Sequence, residues 1–522
     1  MSSMVNLEDL KASNNHDENA DERRNITLDD ALPKNLPPWW RRRNLLLLNF
    51  LMICPIFSST NIGFDGSMLN GLQAQTQWQT FFDHPKGLRL GHLSAAPTFG
   101  NIASFLVGGY ISDRYGRRVA LFIGASIVIL GAAIQGAAQS YGMFFAARLL
   151  IGLGGTISIV PAPSLLSECA YPTHRSILTT SYNIMWYMGA TIAAWITYGT
   201  YFMGEDSTWA WRIPSLLQGF FPLCQIIMCF FIPESPRYLI YQDRIDEARK
   251  FFVKYHAEGD NSSVLVDYEL TEIIQTLQAE KALKQASYKA FLLPENRRRL
   301  FLCFMVPFMQ QMSGNGLLSY YLSLVLTSIG ITSAPQQLVI NGGLMIYNWG
   351  IAIVLIGIVP RFGRRVLFLT STASMFVIFV IWTVLSAINQ ERNFEQKSLG
   401  QGVLAMIFLF FFSYNIGLLG LPYLYMTEVL PYHLRSKGMA ILQLAGALTS
   451  LYNGYVNSIA MDAISWRYYI VYCCVIGVEF LVVFFFFPET KAQTLEESTD
   501  LFNSQTKKKN LSEVMRDDQY KV

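Results

Sequence analysis

Twelve apolar stretches, each about 20 residues long, dominate this chain of 522 residues. They fall at about 44–64, 93–111, 119–138, 143–165, 178–201 and 214–232. After a polar gap they resume at 300–325, 338–359, 366–387, 401–425, 437–460 and 468–487. A stretch of that length crosses a hydrocarbon core of about 30 Å as a helix. Lipid offers no partner to backbone N–H and C=O groups, so a spanning segment satisfies them internally, and these segments are too long for barrel strands. The sequence predicts an all-α membrane protein with twelve transmembrane helices.

Composition excludes the alternatives. Hydrophobic residues make up 52% and charged residues 15%, against about 25% charged in a soluble domain. A disordered chain or an ordinary soluble enzyme does not look like this. Aromatics at 14% suit lipid-facing surface and interfacial belts. A net charge of +3, from 40 basic and 37 acidic residues, gives no cationic footprint for nucleic acid, which is not expected as a partner. Seven cysteines, mostly within apolar runs and without zinc spacing, read as small packing residues. The six histidines avoid the span centres and no GxxxxGK[ST] motif occurs, so neither a catalytic centre nor an ATP-driven pump is expected. No metal or cofactor is expected either.

Charge sets the topology. Residues 1–43 form a polar tail, with eight acidic against four basic residues in positions 1–40, and carry neither the apolar core nor the cleavage site of a signal peptide. Short loops on one side hold Arg41 to Arg43, Arg114, Arg117, Arg118, Arg175, Arg361, Arg364, Arg365, Arg435 and Lys437. The positive-inside rule places that side, both termini and the central loop in the cytoplasm. The sequons at Asn25, Asn261 and Asn510 then escape glycosylation. The expected units are a tail (1–43), a six-helix bundle (44–232), a central loop (233–299), a second six-helix bundle (300–488) and a tail (489–522). Within the loop, Ile245 to Tyr255 and Tyr268 to Lys284 read as amphipathic helices below the membrane. The basic run Lys507 to Lys509 is a solvated tail or touches anionic lipid. The plasma membrane is the expected location, and the chain is expected to act as a monomer.

The two bundles repeat each other. Gly116-Arg117-Arg118 recurs as Gly363-Arg364-Arg365, and Glu168 with Arg175 recurs as Glu428 with Arg435. Trp211-Arg212 recurs as Trp466-Arg467, and Pro233-Glu234 as Pro488-Glu489. The offsets are 247, 260, 255 and 255 residues, in the same order. Parallel repeats of six spans, related by an axis along the membrane normal, describe the major facilitator architecture, whose substrate sits near the midplane between the halves.

These landmarks carry a family resemblance. The run Gly109-Tyr110-Ile111-Ser112-Asp113-Arg114-Tyr115-Gly116-Arg117-Arg118 matches the superfamily's loop signature between spans two and three. Pro233-Glu234-Ser235-Pro236-Arg237, Pro488-Glu489-Thr490-Lys491, and Gln310-Gln311-Met312-Ser313-Gly314 followed by Tyr320-Tyr321 match sugar-porter signatures. The chain resembles the sugar porters of the major facilitator superfamily over residues 44–497. Tyr182-Asn183-Ile184-Met185-Trp186 with Gly189, and Ser313-Gly314-Asn315 with Ser319-Tyr320-Tyr321-Leu322, are most similar to the fungal lactose permease and cellodextrin transporter branch. The resemblance implies import of a sugar, a disaccharide such as lactose or cellobiose or else a hexose, by alternating access. A facilitative uniporter and a non-transporting sugar sensor share the fold and stay open.

Three groups of residues carry the expected chemistry. Asp65 in span one is an ionisable residue in or near lipid, costly unless paired, and Arg148 in span four is its natural partner. The resemblance implies proton coupling through this pair, with the proton as coupling ion; the alternative is a solvated acid at the outer interface. For the sugar, buried amides satisfy paired hydroxyls and aromatic rings stack on the apolar sugar face. Gln310, Gln311, Asn183, Asn315, Tyr320, Tyr321, Tyr423 and Trp186 are the candidates. Gly316, Ala190 and Gly446-Ala447 stand where hexose transporters carry larger or polar residues, which suggests a roomier site. Gly109, Asp113, Arg114, Gly116, Arg117, Arg118, Glu168, Arg175, Glu234, Arg237, Arg364, Arg365, Glu428, Arg435 and Glu489 are expected to form a cytoplasmic gating network. Pro360 stands where the first copy has Asp113, so the two halves are not expected to latch equally.

Overall fold

The computed structural model describes residues 28–33, 37–204, 206–282, 288–294, 296–358 and 361–491. Most of both tails, Asn25, Asn510, Lys507 to Lys509 and Pro360 lie outside the described residues. The first half contains α1 (Arg43–Ala74), α2 (Gly87–Tyr115), α3 (Arg117–Gly136), α4 (Tyr141–Cys169) and α5 (Arg175–Tyr201). It ends with α6, in two pieces, Trp209–Leu217 and Phe220–Cys229. The second half contains α7, also in two pieces (Arg297–Met312 and Asn315–Ser328), α8 (Ala334–Ile358), α9 (Arg364–Glu391) and α10 (Lys397–Val429). It closes with α11 (Tyr432–Ile464) and α12 (Tyr468–Phe486).

Seven helical stretches among the described residues are long and apolar enough to cross a membrane, the last running through α11 and α12 together. The segments α2, α5, α6 and α7 fall short of that criterion. Two are broken: α6 at Gln218-Gly219 and α7 at Ser313-Gly314. The other two carry polar side chains, such as Asn101 and Asn183, toward a central cavity. Gly314 adopts φ +103°, where a Cβ would also meet the Phe379 ring at 2.5 Å; glycine enters that region without steric cost.

Within the first half, α1 and α5 approach backbone to backbone. A Cβ at Gly63 would lie 1.8 Å from the Trp186 carbonyl oxygen, and one at Gly189 would lie 1.8 Å from that of Thr60. Small residues permit this van der Waals packing where lipid supplies no hydrophobic drive between helices. Between the halves, α2 meets α11 at Gly91 and Gly454, and α5 meets α8 at Trp195 and Gly342. These two crossings exchange under the six-helix repeat, as a pseudo-two-fold axis requires.

The central segment packs on the first half. The Ser235 hydroxyl caps a short helix, Pro236–Tyr241, by accepting from the Tyr238 N–H. The helix Ile245–Tyr255 has the expected bounds and buries Ala248, Phe251, Phe252 and Tyr255. The next helix, Val264–Ala282, begins one turn ahead of the expected Tyr268. His256 is buried, with Nδ1 2.7 Å from Glu269 Oε2 and Nε2 3.3 Å from the Cys169 carbonyl. Arg42 donates to the His256 carbonyl at 2.7 Å. All seven cysteines are free thiols.

Candidate functional site

A cavity of about 460 Å³ lies between the halves. The first half contributes Asn183, Trp186 and Tyr187 from α5, Asn101 from α2 and Thr156 from α4; the second contributes Gln310, Gln311, Asn315 and Tyr320 from α7 and Tyr423 from α10. The cavity runs toward the face that carries the central segment, between Ile102, Phe105, Ile159, Val160 and Leu442. On the far side it is closed. There Asn70 Nδ2 donates to the Ser319 carbonyl at 2.5 Å, and Gln73 Nε2 donates to the Tyr320 carbonyl at 2.8 Å. Ser458 on α11 donates to the Gly87 carbonyl on α2 at 2.8 Å.

Seven of the eight expected sugar-site residues line this cavity. The amide of Gln310 is engaged by the Leu418 carbonyl at 3.1 Å. Gln311 Oε1 is buried with no hydrogen-bond partner among the described residues, an unusual state for an amide. Asn315 accepts from the Ser319 hydroxyl at 3.0 Å, and the Tyr320 hydroxyl lies 3.3 Å from that of Ser450. Trp186 stands edge-on to Tyr187, with centroids 5.1 Å apart.

Tyr321 is the exception. It is fully buried behind the cavity, its hydroxyl donating to the Gly454 carbonyl. The backbone kinks at Tyr321, with φ −138° and ψ 30°, and its side chain turns away from the cavity that Tyr320 lines. The roomier-site expectation also narrows. Gly446 and Ala447 do line the cavity. Ala190 is fully buried among core residues, and the space at Gly316 is filled by Asn453, whose amide nitrogen sits 2.1 Å from where a Cβ would be.

Asp65 and Arg148 are brought together as a bidentate ion pair, at 3.2 and 3.3 Å. Arg148 is 2% exposed, and its Nε donates to the Leu93 carbonyl at 2.9 Å. A third member was not foreseen from the residues alone. Gln218, at the break in α6, donates from Nε2 to Asp65 Oδ1 at 2.9 Å. The break is the local signal that could have exposed it, because it frees that side chain from a regular helical face.

Other polar groups also escaped notice. The Tyr187 hydroxyl donates to Asn415 across the halves at 2.9 Å, and Asn415 donates to Asn348 at 3.0 Å. The Tyr414 hydroxyl donates to the Gln310 carbonyl at 3.1 Å. Glu479 on α12 is fully buried, with neither carboxyl oxygen hydrogen-bonded among the described residues. The signal for these was an amide, phenol or acid inside an apolar run.

The charged residues at the central-segment face form two matching clusters. In the first, Glu234 accepts from the N–H groups of Arg117 and Arg118 at 3.0 and 3.2 Å, capping α3. Arg117 lies 3.6 Å from Glu168 and 3.8 Å from Asp113, and Glu168 accepts from the Ser235 hydroxyl. In the second, Glu489 accepts from the N–H groups of Arg364 and Arg365 at 2.7 and 3.1 Å. Arg364 pairs with Glu428 at 3.0 Å, and Glu428 accepts from the Thr490 hydroxyl at 2.5 Å. Carboxylates at helix N-termini meet free N–H donors and the positive end of the dipole. Each of these contacts joins groups of one half and its adjoining segment.

The remaining members are placed less centrally. Arg114 contributes its carbonyl to the Tyr238 hydroxyl at 3.0 Å, and Gly109 faces open space. Arg237 and Arg435 are half-buried at the starts of their helices. Arg175 is exposed at the start of α5 with no side-chain partner among the described residues, so it stands outside the cluster expected for it.

Residues 51–502 match the family model "Sugar (and other) transporter". The chain belongs to that family. It is a multi-pass membrane transporter of the major facilitator superfamily and not an enzyme. The MFS-type transporter oryC of Aspergillus oryzae is 30% identical over 78% of this chain and 75% of its own length. Hexose transporter 2 of Kluyveromyces lactis is 28% identical over 88% of this chain and 83% of its own. In fold, the transporter is similar to the inward-open xylose transporter XylE of E. coli, with a TM-score of 0.70 and 20% identity over 87% of this chain and 99% of that one. These relatives carry the family but not the lactose and cellodextrin branch.

Proposed function

We propose that the transporter imports a sugar of one or two pyranose rings together with a proton, by alternating access, across the plasma membrane. The observation that carries this is the partly buried Asp65–Arg148–Gln218 cluster on the first half, beside a two-sided cavity of amides and aromatics. The loop arginines put the central-segment face in the cytoplasm, which makes this state closed outside and open inside.

Gln311, with its unpartnered oxygen, together with Gln310, Asn183 and Asn315 meets sugar hydroxyls. Trp186 and Tyr423 cover the ring faces. Protonation of Asp65 neutralises the acid and releases Arg148, which keeps its bond to the Leu93 carbonyl. One proton driven inward supplies about 2.3 kcal/mol per 100 mV, enough for uphill uptake. The two charge clusters brace each half as a rigid body while the halves rock. The chain acts as a monomer in this reading, since the cavity is complete within one copy.

The test is uptake of labelled lactose, cellobiose and glucose by transport-deficient cells, with and without a protonophore, for wild type and Asp65→Asn. Accumulation of one sugar, abolished by both treatments, is expected. Uptake that only equilibrates and ignores both treatments would mean a uniporter. A protein at the surface that admits no sugar would refute the substrate class and favour a sensor.

A further inference from the structure

Away from the central cavity, a cleft of about 660 Å³ opens between the start of α3, the end of α6 and the helix Ile245–Tyr255. Its walls differ in kind. Tyr115 at the end of α2 lines it, with Val119 and Phe122 one helical turn apart on α3 and Phe230 at the end of α6. Phe122 and Phe230 meet edge to face at 5.9 Å. All four are exposed on the outer surface of the bundle, where acyl chains run.

The other wall is cationic. Arg118, Arg244, Lys250 and Lys254 line it, with Glu234 and Glu247. The two acids are already satisfied: Glu247 pairs with Arg244 at 2.6 Å, and Glu234 caps the N-terminus of α3. Lys250 has no ion-pair partner among the described residues, and the ammonium of Lys254 rests only over the Tyr255 ring, at 4.8 Å. Two lysines one helical turn apart, of which Lys250 has Glu247 near it, therefore bring net positive charge to a cleft whose other side is greasy.

We infer that this cleft binds one anionic phospholipid, its phosphate and headgroup against Arg118, Lys250 and Lys254 and one acyl chain along Val119, Phe122 and Phe230. Basic pockets at the cytoplasmic edge of membrane helices take such headgroups. The second half carries an equivalent arginine: Arg365 donates to the Phe484 carbonyl at 2.6 Å, as Arg118 does to that of Phe230 at 3.2 Å. What the first half adds is the helix Ile245–Tyr255 with Lys250 and Lys254. The site rests on membrane embedding rather than on the identity of the transported solute.

The experiment is thermal unfolding of the purified full chain in a neutral detergent. Phosphatidylserine, phosphatidylcholine of the same acyl chains, or inorganic phosphate is added. Phosphatidylserine is expected to raise Tm, and the other two are not. Lys250→Ala/Lys254→Ala should lose more than half of that rise, Lys250→Arg/Lys254→Arg should keep it, and Lys397→Ala at the far face should behave as wild type. An equal rise with phosphatidylcholine, or an undiminished rise in the double alanine variant, overturns the proposal. A rise reproduced by inorganic phosphate makes the ligand a free anion and refutes the lipid.

Discussion

Asn70 on α1 clasps Ser319 on α7, donating from Nδ2 to the Ser319 carbonyl at 2.5 Å while its Oδ1 accepts from the Leu322 N–H at 3.2 Å. The helix is kinked between those two groups, at Tyr321, with φ −138° and ψ 30°. A kink strands one acceptor and one donor, and an asparagine side chain offers the complement of both. This one residue ties the halves together on the far face and repairs the broken helix. Asn70→Ala loses two buried hydrogen bonds, about 2 kcal/mol in all. The population open on the far face should rise about 30-fold. Spin-label distances between the far ends of α1 and α7 would show it, and an unchanged distribution would refute the clasp.

The two loop glycines should differ on substitution. Gly116 has φ +101°, and a Cβ there would meet Glu234 Oε2 at 2.4 Å. Gly363 has φ −68°, so its only obstacle is the end of the Glu489 side chain, at 2.3 Å. Gly116→Ala carries backbone strain as well as the clash and should cost about 1–3 kcal/mol. Gly363→Ala should cost distinctly less, because a carboxylate can swing away. Comparison of Tm values in one detergent decides it; equal losses would refute the distinction.

Two positions on α7, one in each piece, should separate binding from stability. Tyr321→Phe removes one buried hydroxyl bond and should cost about 1 kcal/mol of stability while leaving the KM for uptake unchanged. Gln311→Ala removes an amide aimed at the cavity and should raise KM about tenfold, the equivalent of one good hydrogen bond. A Tyr321→Phe variant with raised KM and normal Tm would put Tyr321 back in the sugar site.

Glu234 gives a pH dependence. Burial pushes its carboxyl above the ordinary 4.5, against the N–H donors of Ser235, Arg118 and Arg117 and the Arg117 guanidinium. A carboxyl raised in the folded state holds its proton more tightly folded than unfolded. Its contribution is complete below pH 4.5 and is lost as pH rises through the folded value. Glu234→Gln removes that titration. The Tm of the variant relative to wild type should therefore climb with pH across this window, and parallel curves would exclude the effect.

The membrane class and the helical fold could be read from the chain alone. Twenty apolar residues in lipid have no alternative to a helix, because unsatisfied backbone groups are too costly there. The duplicated glycine–arginine and proline–glutamate landmarks are legible as a repeat but suggest one gating network; that Glu234 and Glu489 each cap a helix within their own half came from the structure. The pairing of Asp65 with Arg148 followed from the rule that an intramembrane charge needs an opposite one.

What only the tertiary structure decided was which residues share a space. Gln218 joined Asp65 because α6 breaks beside it, Tyr321 left the cavity because α7 kinks there and its hydroxyl bonds the Gly454 carbonyl, and the room expected at Gly316 was taken by Asn453 from another helix. Sequence periodicity fixes where a side chain points around its own helix. It carries no information about what another helix, hundreds of residues away, brings to the same point.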